Sequence, residues 1–450
     1  MYKRLSFPNT THSKDPLLGC ALEGVASIIA GVRDVSIVIH SPQGCASTVN
    51  AAYDKHEMDL TMRKIGCTRL FESDIIMGAS AKLEKIIRQS DENFGSKVMF
   101  VVGTCSADII GEDIEAVCRD LQPEISAKLI PIIAGGFRGN INVGMDLGLE
   151  ALLPLIDKHG VHMKNTVNLI APQASGNPGW QPDLKWMTDA LNEMGISVTT
   201  TFTHDTPLSE IAEAGRAQAS LLLSHDAGYG FVQRMGSEYN VPLILSDLPL
   251  PIGMTNTARW LRAIGEYFDV KNEAERIISR GEEHALAILR KRALMMIPRY
   301  RNCRIALSAD MTFGIGLLRM LFTELEMIPE LLIFKSVSPR GERILQAELD
   351  DMGISPDIVL DADGYQIKEA LKTKEVDVVI GSAWERYLAE ELGIKVAFDV
   401  FSPTNRVLYV SEPYFGYEGV LYLLQAFAGD WERAFRSKHI EQEETRHACS

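Results

Sequence analysis

Short hydrophobic runs alternate with amphipathic stretches along almost the whole chain. The runs are near-continuously apolar, as expected for parallel strands covered on both faces; they lie at 35–40, 97–103, 128–134, 166–172, 219–224, 241–246, 304–309, 330–337, 357–362, 376–382 and 395–400. Helical periodicity lies between them, for example at 180–195, 207–217, 255–268, 311–326 and 383–392. The repeated strand–helix–strand order predicts an α/β fold of doubly wound, Rossmann-like modules with parallel sheets.

Two polar or charged stretches suggest where these modules meet. The chain has 450 residues, more than a single hydrophobic core usually supports. Residues 157–166 are polar, and residues 268–300 form a charged pattern that predicts one long bridging helix. We therefore expect three domains: 1–165, 166–300 and 301–450, the last ending in a helical tail.

Charge and hydropathy narrow the class of protein. The net charge of −15 argues against a nucleic acid or an anionic membrane as partner, because both bind basic patches. Residues 1–15 lack the apolar stretch of a signal peptide, and no run of eighteen apolar residues occurs. We expect a cytoplasmic protein whose thiols stay reduced. Seven cysteines, an odd number, then indicate metal ligands or core residues rather than disulfides.

Cys20, Cys45 and Cys105 share one kind of position in the predicted first domain. Each precedes a predicted helix, and two of them follow a predicted strand. This is the carboxyl edge of a sheet, where ligands bind, and helix N-termini favour the thiolate form that binds iron. The alternative is that each is a small buried apolar residue. Three thiolates would leave a four-iron cluster one ligand short, so another chain would supply the rest.

Four motifs, in order, carry a resemblance to a known family. They are GC at 19–20 before a small-residue helix, HSPQGC at 40–45, ESDIIMG at 72–78 and TCSADIIGED at 104–113. Together they resemble the nitrogenase component 1 superfamily. Segments at 248–268, 304–321 and 413–424 extend the likeness through nearly the whole chain.

The resemblance implies a metal site. Cys20, Cys45 and Cys105 would be one subunit's ligands to an iron–sulfur cluster shared across a dimer interface, an 8Fe-7S P-cluster in nitrogenases; a 4Fe-4S cluster stays possible. Cys67 lies near the same edge but is not a ligand in that family. The remaining cysteines are interpreted as structural or incidental: Cys118, Cys303 and Cys449.

The resemblance also indicates which subunit this is. Catalytic α subunits hold their cofactor with a cysteine and a histidine, and the matching positions here are at or near Ser224 and at Phe415. His225 is a possible substitute ligand, although a loop histidine is more often a surface residue. We therefore expect a β-type subunit with no catalytic residues of its own. Gly135 and Gly136 stand where nitrogenase β subunits often carry a serine ligand.

The function implied is electron relay. Such a subunit would pass electrons from an ATP-dependent Fe protein to a cofactor in the α subunit of an α2β2 heterotetramer. Methylthio-alkane reductase, which cleaves C–S bonds, is the preferred branch; the alternatives are a dinitrogen-reducing nitrogenase β subunit, a tetrapyrrole reductase subunit and a cofactor-assembly scaffold. The Fe protein would dock transiently on an acidic face that contains Glu72, Asp74, Glu112 and Asp113. The alternative is that Glu112 and Asp113 only favour a helix N-terminus.

Overall fold

A computed structural model describes residues 2–8, 19–56, 58–158, 161–172, 177–401 and 410–448, with side chains to residue 434 apart from that of Lys55. The chain forms two compact units. The N-terminal unit comprises Leu18–Gln173 and Ser197–Ile244, and the C-terminal unit comprises Met1–Leu17, Ala174–Ile196 and Leu245–Ser450. Among the helices of the described residues, none has both the length and the apolarity needed to cross a membrane.

The strands and helices alternate along the chain. The strands are β1 (Lys3–Arg4), β2 (Val35–His40), β3 (Ile65–Cys67), β4 (Val98–Gly103), β5 (Lys128–Ile133), β6 (Thr166–Ile170), β7 (Ser197–Phe202), β8 (Ala219–Leu222), β9 (Leu243–Ile244), β10 (Arg304–Ala309), β11 (Ile328–Phe334), β12 (Asp357–Val359), β13 (Val378–Ser382) and β14 (Val396–Phe401). The helices are α1 (Ala21–Ala30), α2 (Gly44–Lys55), α3 (Glu72–Met77), α4 (Ser80–Phe94), α5 (Cys105–Ile110), α6 (Ile114–Leu121), α7 (Ile141–Leu152), α8 (Trp180–Glu193), α9 (Leu208–Glu213), α10 (Tyr229–Tyr239), α11 (Met254–Tyr267), α12 (Lys271–Arg290), α13 (Ala293–Tyr300), α14 (Met311–Arg319), α15 (Pro339–Met352), α16 (Gly364–Lys372), α17 (Ala383–Glu391) and α18 (Gly416–Ala448).

Three parallel sheets organise the described part of the chain. The N-terminal unit contains two, in the orders β3-β2-β4-β5 and β7-β6-β8-β9. The C-terminal unit contains the third, in the order β1-β12-β11-β10-β13-β14. All strand pairs in these sheets are parallel. The predicted α/β fold class is therefore confirmed. Apart from β1, which lies in the predicted first domain but joins the third sheet, each of the three predicted domains carries one sheet. The division into three domains stays a prediction.

The predicted strands are found, and the strands that were missed are short or polar. Every predicted hydrophobic run contains a strand. The missed strands are β1, β3 and β7; in β7 the sequence SVTTTF is only partly buried and has no continuous apolar run. The single helix predicted for 268–300 is wrong: α12 ends at Arg290 and α13 begins at Ala293. The break accompanies the packing of Tyr300 against the rings of Phe398 and Trp431.

Two glycines bring α1 and α7 into backbone contact. A methyl group placed on Gly24 would lie 2.0 Å from the carbonyl oxygen of Ile141, and one on Gly144 would lie 1.9 Å from that of Ala21. Only residues without a side chain fit here. This close contact fixes the start of α1, where Cys20 lies, against the loop that precedes α7.

Candidate functional site

The three candidate cysteines lie at the starts of helices. Cys20 is the N-cap of α1, Cys45 is the second residue of α2, and Cys105 is the first residue of α5. Cys45 and Cys105 therefore lie inside the first turns rather than just before them. Strands β2 and β4 pair in parallel with His40 opposite Gly103, so α2 and α5 begin at the same carboxyl edge.

The loop between β5 and α7 connects Cys20 with Cys105. Gly136 N–H donates a hydrogen bond to Cys105 Sγ at 2.9 Å. A methyl group placed on Gly136 would lie 3.2 Å from Cys105 Sγ and 3.6 Å from Cys20 Cβ. Cys20 also pairs with Asn140 in an isolated antiparallel bridge. Cys20 and Cys105 therefore both lie next to Gly136. We call this group, with Cys45, the thiol edge.

Cys45 belongs to the same group. Burial raises the pKa of the Cys45 thiol, the neighbouring thiols of Cys20 and Cys105 raise it further, and a hydrogen bond with the Ser41 side chain opposes them. The pKa of Cys45 is therefore raised by burial and neighbouring thiols, whereas its place at a helix N-terminus predicted a lower value. Bound iron would remove this penalty, since a thiol that coordinates a metal loses its proton.

The thiol edge is partly accessible from outside. Cys20 is exposed, and Cys45 and Cys105 are half-buried. Within the described residues, no three His, Cys, Asp or Glu side chains converge closely enough to hold one metal ion. Thiolate sulfur is the usual protein ligand of iron–sulfur clusters, in which different thiolates bind different irons. By its chemistry, a set of three cysteines at one sheet edge fits such a cluster.

His40 connects two elements of the thiol edge, a role that the sequence interpretation missed. It is fully buried, its Nδ1 lies 3.2 Å from Thr68 Oγ1, and its carbonyl oxygen accepts a hydrogen bond from Thr104 Oγ1 at 3.0 Å. Thr104 is the N-cap of α5. Burial lowers the pKa of His40, which favours the neutral ring. The backbone of His40 thereby links the end of β2 to the start of α5, and its buried ring lies against Thr68.

Three of the four acids expected on a docking face also stabilise the starts of nearby helices. Asp113 Oδ1 accepts the N–H of Ala116 in α6 at 2.9 Å. The carboxylate of Glu112 accepts Ala79 N–H and Ser80 Oγ at 2.5 Å each, at the start of α4. Asp74 accepts Phe71 N–H at 2.8 Å and Lys82 Nζ at 2.7 Å. These contacts agree with the helix-cap alternative for Glu112 and Asp113, and Asp74 behaves in the same way. Asp113 and Glu72 are nevertheless exposed.

Four exposed apolar residues lie close to the thiol edge. Met77 is 84% exposed, Ile76 80%, Phe137 75% and Ile109 68%. Ile76 and Met77 lie in α3, which contacts α5, and Ile109 lies in α5 itself. Phe137 directly follows Gly136. We call these four residues the apolar rim. Exposed apolar groups of this kind mark surfaces that bind another protein.

The two positions matching cofactor ligands of catalytic subunits carry structural residues. Ser224 is buried, and its hydroxyl accepts Asp226 N–H at 3.1 Å and Ala227 N–H at 3.0 Å. His225 is also buried, so the expectation of a surface histidine is wrong. It follows Ser224, whose hydroxyl closes a tight turn after β8. Phe415 is buried in the C-terminal unit.

Asp183 holds the loop that contains Phe415. Its carboxylate accepts the N–H groups of Tyr414 at 2.5 Å and Phe415 at 2.8 Å, and Asn177 Nδ2 lies 3.3 Å away. Burial raises the pKa of Asp183 to about 7, although these donors oppose the increase.

Asp183 predicts a pH-dependent stability. Because its pKa is higher in the folded state than the ordinary 3.8, the folded chain binds the extra proton between about pH 4 and 7. The free energy of unfolding should therefore fall as pH rises through this window, by up to about 1.4 kcal/mol per pH unit. Asp183→Asn, which keeps an acceptor oxygen, should remove this component. Urea unfolding of both proteins from pH 4 to 8 measures it; identical pH profiles would contradict the assignment.

An internal ion pair occupies the crevice of the third sheet. Strand order reverses between β10 and β13, and ligands of doubly wound sheets bind at such a point. There Lys335 Nζ lies 2.9 Å from Glu385 Oε1, and Glu385 also accepts Ser382 N–H at 2.8 Å and Ser308 Oγ at 3.0 Å. Burial alone would raise the pKa of Glu385, but Lys335 and Ser382 bring it below its ordinary value.

Comparison with known proteins defines the class. The sequence profile of the family described as nitrogenase component 1 type oxidoreductase matches residues 20–432. This chain therefore belongs to that family of oxidoreductases. A solved structure, "Nitrogenase Cp1 at pH 6.5", has the same fold: the TM-score is 0.78 with 17% identity, covering 94% of each chain.

The relatives include several kinds of chain. This chain is 25% identical to the nitrogenase vanadium-iron protein beta chain of Trichormus variabilis, covering 94% of this chain and 95% of that one. It is 27% identical to the nitrogenase molybdenum-iron protein alpha chain of Methanothermobacter thermautotrophicus, covering 90% and 86%. It is 26% identical to the nitrogenase iron-molybdenum cofactor biosynthesis protein NifE of Methanococcus maripaludis, covering 86% and 79%. The three sequence identities are nearly equal, so they do not distinguish between these roles. The residues at the site have to distinguish between them.

Proposed function

We propose that this chain is the β-type subunit of a nitrogenase-like reductase and that Cys20, Cys45 and Cys105 hold part of an iron–sulfur cluster. The observation that carries this proposal is the thiol edge, where Gly136 N–H donates to Cys105 Sγ. The proposed cluster is shared with an α-type subunit in a cytoplasmic α2β2 heterotetramer. It is of the 8Fe-7S P-cluster type, with 4Fe-4S as the smaller alternative. Once bound, it supplies single-electron transfer between an ATP-dependent Fe protein and a cofactor in the α subunit.

The residues of the chain suit this role. Cys20, Cys45 and Cys105 supply sulfur donors from three helix starts, whose dipoles favour negative charge. The hydrogen bond from Gly136 to Cys105 Sγ would stabilise a thiolate and contribute to the redox potential. Because residue 136 is a glycine, no side chain at this position covers the sulfur of Cys105. The half-buried thiols lie on a face that another subunit can reach.

Two features favour a subunit that relays electrons over a subunit that holds the active-site cofactor. Ser224 and Phe415 replace the residues that would hold an active-site cofactor. The Lys335–Glu385 pair occupies the crevice of the third sheet, where doubly wound folds bind ligands. The substrate would then bind in the α subunit. We propose a methylthio-alkane, whose C–S bond is cleaved by two electrons and two protons to give a thiol and an alkane.

The proposal is tested with the complex purified anaerobically together with its α-type subunit and Fe protein. ATP-dependent release of a thiol from a small methylthio-alkane is expected. Formation of ammonia from dinitrogen, or reduction of a tetrapyrrole, would instead identify the other reductase branches. The similarity to NifE favours a second candidate, a cofactor-assembly scaffold. A scaffold would carry metal but turn over none of these substrates.

We further propose that the Fe protein docks transiently over the thiol edge through the apolar rim. Because the acids nearby serve mainly as helix caps, the contact should depend only weakly on salt. Met77→Glu places a charge on the most exposed residue of the rim and should slow reduction by the Fe protein at least about tenfold, the usual effect of losing one interface hot spot.

The control for Met77→Glu is Leu294→Glu, which changes a similarly exposed apolar residue of the C-terminal unit. Electron delivery is measured by stopped flow, with iron content checked in each variant. Equal rates for the two variants, with full iron, would rule out docking at the rim. A steep loss of rate with rising ionic strength would restore a role for the acids.

A further inference from the structure

Asp108 contacts the loop that donates a hydrogen bond to Cys105. Both residues lie in the first turn of α5, with Cys105 at its first position and Asp108 three residues later. Side chains with this spacing are neighbours on the surface of a helix, so both can meet the same segment of chain. Only 24% of the Asp108 side chain is exposed, because the loop between β5 and α7 lies against it.

The contact is made with a tight turn at residues 135–138. Arg138 N–H donates to Gly135 O at 2.9 Å, which closes the turn. A methyl group placed on Gly135 would lie 2.1 Å from Asp108 Oδ2, so the carboxylate occupies the space that a side chain at position 135 would need. Arg138 Nε lies 3.6 Å from the same oxygen. Since Arg138 is 52% exposed, this ion pair contributes at most about 1 kcal/mol, and the close contact at Gly135 is the stronger constraint.

The position of Gly135 determines where the next N–H group lies. Gly136 is inside the turn, and its N–H is the group that donates to Cys105 Sγ at 2.9 Å. That N–H belongs to the planar peptide unit that joins Gly135 to Gly136, so a shift of Gly135 moves the N–H relative to the sulfur. Helix α5 therefore contacts the turn at two neighbouring residues, at Gly135 through Asp108 and at Gly136 through Cys105.

We propose that Asp108 is a positioning residue of the thiol edge: it holds Gly135 against α5 and thereby sets the hydrogen bond from Gly136 N–H to the Cys105 sulfur. This inference rests on the proposed function and deepens it, because it names a residue that regulates the redox potential of the proposed cluster. Reduction adds negative charge, and a donor at a ligand sulfur stabilises that charge, so this hydrogen bond raises the potential. The negative charge of Asp108 by itself would lower the potential, so the two effects differ in sign.

The test uses two variants that keep the negative charge, in the complex purified anaerobically with its α-type subunit. Gly135→Ala places a methyl group where the carboxylate lies, and Asp108→Glu has a longer side chain that cannot hold its carboxylate in the same place. The control is Gly236→Ala in α10, where a methyl group would lie 3.9 Å from the nearest atom. Loss of a hydrogen bond to a charged group should change the one-electron equilibrium about tenfold, so a redox titration followed by EPR should show a potential about 59 mV lower in both variants. The control should match the wild type.

A second measurement needs no cluster. Hydrogen exchange of the peptide that contains Gly136, measured by mass spectrometry after a chelator removes the iron, should be about tenfold faster in both variants. Exchange in β4 should stay at the wild-type rate, which shows that the variants are folded. Wild-type exchange at Gly136 in both variants would overturn the positioning role, as would an unchanged potential at full iron content. A wild-type complex purified without iron would overturn the proposed function, and the exchange rates would still decide what Asp108 does.

Discussion

Replacement of Cys20, Cys45 or Cys105 by Ala is expected to strip the proposed cluster from the complex. Each residue would supply one sulfur donor to it, and even loss of an outer-shell partner costs roughly 10–100-fold in metal affinity. Loss of a ligand itself should exceed that range. Iron and acid-labile sulfide per heterodimer, measured after anaerobic purification, should fall well below the wild-type values in all three variants.

The matched control for these variants is Cys118→Ala, which removes a thiol buried in α6 of the same unit. It should lose stability through a small cavity but retain iron. Circular dichroism identifies any variant that fails to fold. Full iron retention in all three edge variants would refute the proposed cluster site, whereas iron loss in Cys118→Ala as well would mean that the losses reflect folding.

Breaking the buried ion pair of the C-terminal unit is expected to have the second-largest effect. Lys335→Met leaves Glu385, which is fully buried, without its cation. Removal of one partner from such a pair costs about 3–5 kcal/mol. The urea midpoint for unfolding of the C-terminal unit should shift accordingly. The double variant Lys335→Met/Glu385→Leu should recover most of the loss, because apolar pairs of similar volume replace buried ion pairs well.

The same pair predicts a dependence on pH. Since the folded-state pKa of Glu385 is below its ordinary value, its contribution to stability is complete above the unfolded-state pKa and is lost as the pH falls through the folded-state pKa. Glu385→Gln should remove this acid-side component while keeping a polar group. Wild-type stability in Lys335→Met, or an unchanged acid-side profile in Glu385→Gln, would show that the pair contributes little.

The local pattern of apolar and polar residues was enough to predict the buried strands and the sequence positions of the candidate ligands. Runs such as VSIVIH and VMFVVG are apolar throughout because both faces of a parallel strand are covered, and this pattern is visible without tertiary information. The pattern was insufficient for β7, whose partly buried threonines look polar in sequence. It was also insufficient at residues 291–292, where tertiary packing of Tyr300 accompanies a break in a continuous helical pattern.

The sequence by itself determined the α/β fold class, the parallel strands and the recurrence of Cys20, Cys45 and Cys105 at helix starts, because these follow from local periodicity and turn chemistry. Tertiary structure alone decided which groups meet. In the tertiary structure, Gly136 N–H donates to Cys105 Sγ and Glu112 accepts a hydrogen bond at the start of α4. Cys67 lies against the turn before Cys45. Such contacts join residues far apart in the chain through sheet register and helix packing, and single-sequence patterns carry no record of either.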